Sequence, residues 1–510
     1  MPKSIHIPKL SATPTKEPLS LLIKDTNFPA PFTTHLEFNA PVRGPWNIVH
    51  KALLLPEAHL IYICARGCLR GVIMTVHEMG AANRFSWVGV SEEDIALGSL
   101  EEKTYQSVSH ILDNLNKKPP LVLLYLSCIH KFMHFDYQTL LNLLNQRYPQ
   151  ITFVDCYMMP TMRKSGPTDE ERTYVKMYQA LYTRKNDNNV NLEENTLEEK
   201  SINFIGNDQP IKPQSLILEL LQKEHFIIRD LNFCQTYCDY LDLAKSKYNL
   251  TIFEDAYLAA ETLSQNLNQT HIHLPVAYTP AKIRDELNEL AQILEFKLDT
   301  DLINLAELKA CASMQKAKGI LGNMPIHIDY TFSPKPLNLA RALLDFGFNV
   351  QAIYLDAFDP KEEDDYIWLK TQAPNLLISA TLAPEERFKA LSLNLSKQND
   401  PVLALGQKAA YLTQTNYFVN LVRGGGLYDF KGLSILANLM VQASFNPKPL
   451  GLILAKGLNC PSLLSNEVLE KLSAKNTPIS EMPKTSAANK NKLIYPQRLD
   501  QVVREDVWEG

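Results

Sequence analysis

Leu60-Ile61-Tyr62-Ile63-Cys64-Ala65-Arg66-Gly67-Cys68 is an apolar, β-branched and aromatic run that ends in a thiol and gives way to a helix-like pattern. About sixty residues later Leu121-Val122-Leu123-Leu124-Tyr125-Leu126-Ser127-Cys128 repeats the plan. Each run places a cysteine at the C-terminal mouth of a predicted parallel strand, where open α/β sheets bind their ligands. If the two strands are neighbours, Cys64, Cys68 and Cys128 converge on one site, and thiolates in that number suit an iron–sulfur cluster. The competing reading is that all three are small buried hydrophobes, because free cysteine is often core and three thiols are one short of the usual four ligands.

Working outward, the same strand, loop and helix unit recurs. Strands are predicted at 59–63, 121–126 and 151–156, with amphipathic helices at 101–116 and 137–147 between them. The stretch Thr183 to Lys200 is almost wholly polar and reads as a surface linker or loop. The unit resumes with strands near 202–206, 226–229, 250–253 and 271–278, then a helix at 280–296. After a long helical segment at 299–318 come strands at 325–330, 349–355, 375–379, 402–406 and 417–422, with a crossover helix that ends at Gly347. The right-handed crossover rule makes each block a doubly wound sheet. The expected fold is therefore α/β, with three Rossmann-like parallel-sheet domains. They span residues 31–182, 201–322 and 323–455, joined by the linker 183–200 and flanked by an N-terminal extension, 1–30, and a C-terminal tail, 456–510.

Composition narrows the class. The 510 residues are 45% hydrophobic, which is ample core, yet no apolar run is long enough to span a bilayer, so no membrane role is expected. The first residues, MPKSIHIPKLSATPTKEP, contain no continuous apolar segment and do not read as a secretory signal. Eight cysteines in so long a chain favour a reducing, cytoplasmic setting over a disulfide scaffold. A formal net charge of −5, without a basic-aromatic stripe, argues against nucleic acid as a partner.

Other motifs are weaker. Neither a GxxxxGK[ST] phosphate loop nor a strand-borne GxGxxG occurs. Arg423-Gly424-Gly425-Gly426 follows a strand and precedes a helix expected near Tyr428, a geometry able to hold an anion or cofactor or to serve as a plain flexible loop. Cys234 and Cys238 form a helical CxxxC that reads as core packing before pairing or metal binding, and Cys156, Cys311 and Cys460 read as structural. His271 and His273 share one strand face but have no acidic or thiol partner at metal spacing in the sequence.

The order of these segments resembles the nitrogenase component 1 type oxidoreductases, which include nitrogenase α and β subunits, their cofactor-assembly scaffold relatives and the protochlorophyllide reductase subunits. The resembling blocks are Phe38 to Pro45 (FNAPVRGP), Ile63 to Cys68, Val90 to Gly98 (VSEEDIALG), Leu126-Ser127-Cys128, Leu274 to Tyr278 (LPVAY), Leu339 to Phe348 and Tyr428 to Gly432 (YDFKG). Together they cover about residues 35 to 445.

The resemblance implies a subunit that pairs with a homologous component 1 subunit, as a hetero- or homo-oligomer, and receives electrons from an ATP-dependent iron–sulfur reductase. It also implies an iron–sulfur cluster, of the [4Fe-4S] kind, shared at the subunit interface. Cys68 matches the family's Gly-Cys ligand and Cys128 its strand-end ligand, while Arg43 stands where the first family cysteine would be, leaving Cys64 as the candidate third. Phe253 and Val419 stand where the nitrogen-fixing α subunit carries its cofactor-binding cysteine and histidine. No molybdenum-type cofactor is therefore expected, and a function other than nitrogen fixation follows. The cleft around Phe253 and Gly424 to Gly426 is the expected substrate or cofactor space, and Glu92, Glu93 and Asp94 are expected near the cluster side or simply at a helix start. The alternative function is a non-catalytic scaffold or assembly protein for a cluster or metal-cofactor precursor.

Overall fold

The computed structural model describes residues 19–32, 48–157, 167–183, 197–383 and 401–450. The block at 38–45 with Arg43, most of the expected linker, Cys460 and the expected tail lie outside the described residues. β1 (Ser20–Leu22) opens the described chain. The first sheet is built from β2 (His59–Ala65), β3 (Phe85–Val90), β4 (Leu121–Leu126) and β5 (Thr152–Tyr157) in the order β3-β2-β4-β5, all parallel. The second sheet repeats that order with β6 (Glu198–Ile205), β7 (Ile227–Asp230), β8 (Ser246–Thr251) and β9 (Thr270–His273), as β7-β6-β8-β9, again all parallel. The third contains β10 (Pro325–Asp329), β11 (Asn349–Tyr354), β12 (Leu377–Ser379), β13 (Leu403–Leu405) and β14 (Phe418–Val419) in the order β1-β12-β11-β10-β13-β14. Only β1 is antiparallel there, pairing with β12 at the edge. The chain divides into two compact units, one holding the first two sheets together with Asn420–Leu439, the other holding the third sheet.

The central strands read as they must for a parallel sheet covered on both faces. Every residue of β4 is buried, and its side chains alternate between two cores. Leu121, Leu123 and Tyr125 join Leu60, Tyr62 and Cys64 of β2 on one face, while Val122, Leu124 and Leu126 join Ile61 and Ile63 on the other. The first of these cores runs on without a break into Tyr174, Tyr178, Ile205, Leu231 and Tyr240, so the first two sheets share one hydrophobic body.

Three differences from the sequence reading have physical causes. β3 was not anticipated because Phe-Ser-Trp-Val-Gly-Val mixes polar and small residues into the run, as an edge strand with a solvent-facing side permits. β1 lies inside the expected N-terminal extension and is only three residues long. β6 begins at Glu198, within the expected linker; Glu198, Glu199 and Lys200 are polar because this end of the strand projects beyond the core, where Glu198 pairs with Ser246.

Candidate functional site

In a doubly wound sheet the crevice opens where strand order reverses, between β2 and β4 in the first sheet. Both cysteine segments end there. β2 runs to Ala65, a single turn Arg66–Cys68 follows, and the helix Leu69–Glu78 begins directly after it. On the neighbouring strand the Ser127 N–H donates to the Ile63 carbonyl at 3.1 Å, and Cys128 is the first residue of the short helix Cys128–Phe132. Cys68 is exposed, Cys128 is half-buried, and Cys64 is wholly buried. The strand period separates them: Cys64 points into the core with Tyr62, whereas Cys68 lies beyond the strand end.

Burial, and then the nearness of Cys68, pushes the Cys64 thiol up to about 12. The Tyr62 phenol is raised by burial and then by the charges of Cys64, Cys68 and Cys128 in turn. Even so, among the described residues no group of three or more His, Cys, Asp or Glu side chains stands close enough to hold one metal ion. His130, next to Cys128, is held neutral by burial, which lowers it to about 4.

The acids of the Val90 to Gly98 block form a helix start. Ser91 and Asp94 make a reciprocal capping box, and Asp94 is lowered to about 2 by hydrogen bonds from Lys103 and Ser91. Glu92 and Glu93 are exposed on the same turn. Cys234 is buried with its thiol raised to about 12 by burial, then by Asp230 and other acids, while Cys238 is exposed on the helix Tyr237–Leu241.

The glycine turn is tightly packed against its neighbours. Arg423, Gly424, Gly425 and Gly426 all have positive φ, at 51°, 77°, 59° and 74°. A Cβ on Gly426 would stand 2.4 Å from the Pro210 carbonyl oxygen, so only glycine admits this approach. Beside it, Arg423 clamps Asp255 with two hydrogen bonds of 2.8 and 2.9 Å, places Nε 3.1 Å from Asp208, and lies 4.3 Å over the Phe253 ring. Lys51, also buried, stands 3.8 Å from Asp255 and 4.5 Å over the Tyr174 ring. Burial would raise Asp255, but the Arg423 and Lys51 charges outweigh it and hold the carboxyl below its usual range. The space around Phe253 is thus occupied by the chain's own ion cluster. The sequence signal was Arg423 itself, an arginine next to three glycines; Asp208, Asp255 and Lys51 left none.

The helix expected after the glycine turn begins at Asp429, whose Oδ1 accepts from the Lys431 N–H of its own first turn at 2.8 Å. The other carboxylate oxygen of Asp429, three residues past the turn, accepts from Ser215 Oγ at 2.6 Å and from the Leu216 and Ile217 N–H groups at 2.7 and 3.2 Å. Those N–H groups open the helix Leu216–Lys223, which follows β6 at the reversal point of the second sheet. The third sheet does the same in its own unit: buried Asp329, at the end of β10, accepts from the Ala409 N–H at 2.8 Å at the start of the helix Gln407–Thr413. At the first sheet, by contrast, neither Ala65 nor Ser127 caps the following turn with its side chain, and thiols occupy the reversal point. A small cleft in the second-sheet region, about 20 Å³, is lined by Ile217, Ile252, Leu274, Tyr428 and the buried carboxyl of Glu286, room for little more than a water.

His271 and His273 have acidic partners that sequence spacing does not reveal: Glu261 lies 2.9 Å from His271 and Glu254 lies 3.2 Å from His273. Both acids come from the segment between β8 and β9, brought back by the fold and invisible to local spacing.

The family model described as nitrogenase component 1 type oxidoreductase matches residues 52–414. No curated protein matches the chain. Among solved structures, "Nitrogenase Cp1 at pH 6.5" is similar at TM-score 0.60 and 11% identity, over 81% of this chain and 95% of that one. "Nitrogenase Cp1 at pH 5" is similar at TM-score 0.52 and 13% identity, over 83% of this chain and 93% of that one. At such identities the likeness speaks to fold alone, while the family model spans most of the sequence; the chain belongs to the nitrogenase component 1 type oxidoreductase family.

Proposed function

We propose that this chain is a subunit of a nitrogenase-like component 1 oxidoreductase, working in a reducing cytoplasm on a reaction other than nitrogen fixation. It shares an iron–sulfur cluster with a homologous subunit and receives electrons from an ATP-dependent iron–sulfur reductase. The observation that carries the reading is the placement of Cys68 and Cys128 on adjacent strand ends at the reversal point of the first sheet, both accessible. The donor set fits a shared cluster better than a self-contained one: two open thiols supply half of a four-thiolate site. Cys64 is wholly buried in the core on the face of Tyr62, which places it to pack beneath the ligands. Phe132 and Met133, on and just after the helix that Cys128 opens, are exposed apolar side chains of the kind a partner covers.

A cluster held there would supply one-electron transfer, while the chain's own part is to fix two thiolates at rigid strand ends and to keep Tyr62 and His130 neutral beside them. The ion cluster on Phe253 supports the absence of a large cofactor from this chain's second-sheet cleft. The test is anaerobic purification after co-expression with the homologous partner, followed by iron and acid-labile sulfide analysis and visible absorption before and after reduction. Iron with a bleachable absorption is expected. Iron-free complex from cells competent in cluster assembly overturns the proposal, and a cluster that leaves intact for an acceptor protein identifies a scaffold instead.

A further inference from the structure

β8 ends at Thr251 and its parallel neighbour β9 at His273, in register so that Thr251 stands beside His273 and Asn249 beside His271. A line of polar groups crosses this strand end. Glu261 Oε1 lies 2.9 Å from His271 Nδ1, His271 Nε2 lies 2.7 Å from Thr251 Oγ1, and Thr251 Oγ1 lies 2.8 Å from His273 Nδ1. His273 Nε2 then stands 3.2 Å from Glu254 Oε2, an ion-pair distance without an aligned hydrogen bond, and a relay through it requires Glu254 to turn into line. The middle of the line is dry and the ends are open: Thr251 is fully buried, while the Glu261 and Glu254 side chains are 38% and 24% exposed. The Tyr257 ring packs edge-on against both imidazoles, with centroids 4.6 and 5.2 Å away, and fixes their planes.

The order of groups is carboxylate, imidazole, hydroxyl, imidazole, carboxylate. Each interior member both donates and accepts, so four links hold four hydrogens and can be polarised in either direction. We propose that Glu254, His273, Thr251, His271 and Glu261 form a proton relay across the mouth of the second sheet. A proton on Glu254 passes to His273 Nε2 as His273 Nδ1 gives its proton to Thr251 Oγ1. The Thr251 hydroxyl proton passes to His271 Nε2, and the His271 Nδ1 proton passes to Glu261. One proton leaves the first carboxyl and one arrives at the second; both rings are neutral before and after, and no electron moves. The groups facing the two rings are the two acids, Thr251 and Tyr257, and burial lowers the affinity of His271 for a second proton while Glu261 restores part of it. Glu254 precedes Asp255, the carboxylate clamped by Arg423, in the turn Glu254–Ala256. The relay stands whether or not the chain holds a cluster, and its test involves no iron.

The experiment is an NMR titration of the full chain with ¹⁵N-labelled histidine, the two resonances assigned by His271→Asn and His273→Asn. Neutral His271 is expected to carry its proton on Nδ1. Glu254→Gln, at the far end of the line from His271, is expected to move the His271 midpoint by about one pH unit or more, the scale of groups that titrate together. The shift should persist in Thr251→Ser and vanish in Thr251→Val, with Thr251→Ala as the second background should the valine variant not fold. A His271 midpoint indifferent to Glu254→Gln overturns the relay, and so does an equal shift with the hydroxyl removed, which would be a field acting through space.

Discussion

Two cysteines four residues apart differ because a strand turns its side chains alternately and a 3-10 turn does not: Cys64 is in the core and Cys68 is in the open. Cys68→Ala and Cys128→Ala should each lose most of the iron of the co-purified complex, measured against protein concentration. Cys64→Ala should keep it and lose only about 1 kcal/mol of stability, the usual cost of a small buried truncation. Loss of iron from Cys64→Ala would make that thiol the replacement for the ligand missing at Arg43. A second residue-scale prediction concerns Glu286, whose carboxyl is raised by burial to about 8. The folded protein keeps a proton that the unfolded chain releases near pH 4.5, so stability falls as pH rises from about 4.5 to about 8. Glu286→Gln should reduce that fall, by an amount on the order of a few kcal/mol across the window, in denaturant titrations at several pH values. An unchanged slope would show that the carboxyl ionises freely.

At the scale of elements, the glycine turn and the ion cluster beside it hold one another. Gly426→Ala needs both a left-handed alanine and a shift of the Pro210 carbonyl, so it should cost at least about 1–3 kcal/mol, read from the denaturant midpoint. Arg423→Ala removes the guanidinium paired with buried Asp255 and Asp208, leaving Lys51 3.8 Å from Asp255, and a loss of about 3–5 kcal/mol is expected. Arg423→Lys keeps the charge but not the two-pronged clamp or the flat stacking on Phe253, so it should recover only part of that loss. The same logic applies at the helix starts Leu216–Lys223 and Gln407–Thr413, where Asp429 and Asp329 accept from the Leu216 and Ala409 N–H groups in place of an outside anion.

For the whole molecule, two accessible thiols make the predicted cluster depend on association. Light scattering combined with iron analysis should find iron only in species larger than one chain. A monomer with a full cluster would show that the shared-interface model is wrong. Among the described residues no helix is long and apolar enough to cross a membrane.

The buried parallel strands were legible in the sequence because a strand covered on both faces has to be continuously apolar: β2 and β4, with their terminal cysteines, could be placed from residue type alone. Alternation of strand, loop and helix fixed the doubly wound class by the same local physics. Edge elements were not legible, since β3, β1 and the polar start of β6 have only one side or none in a core and need no apolar run. The candidate site was half legible. The thiols at the strand ends could be named, but which of them faces solvent depends on where the strand stops and the turn begins. Arg423 with Asp208 and Asp255, Asp429 on the Leu216 helix start, and Glu261 and Glu254 on the two histidines are pairings across 10 to more than 200 residues. Local periodicity carries no record of such contacts; the packing of sheet on helix decides them, because a buried charge or ring nitrogen takes whatever partner the tertiary fold brings within hydrogen-bonding reach.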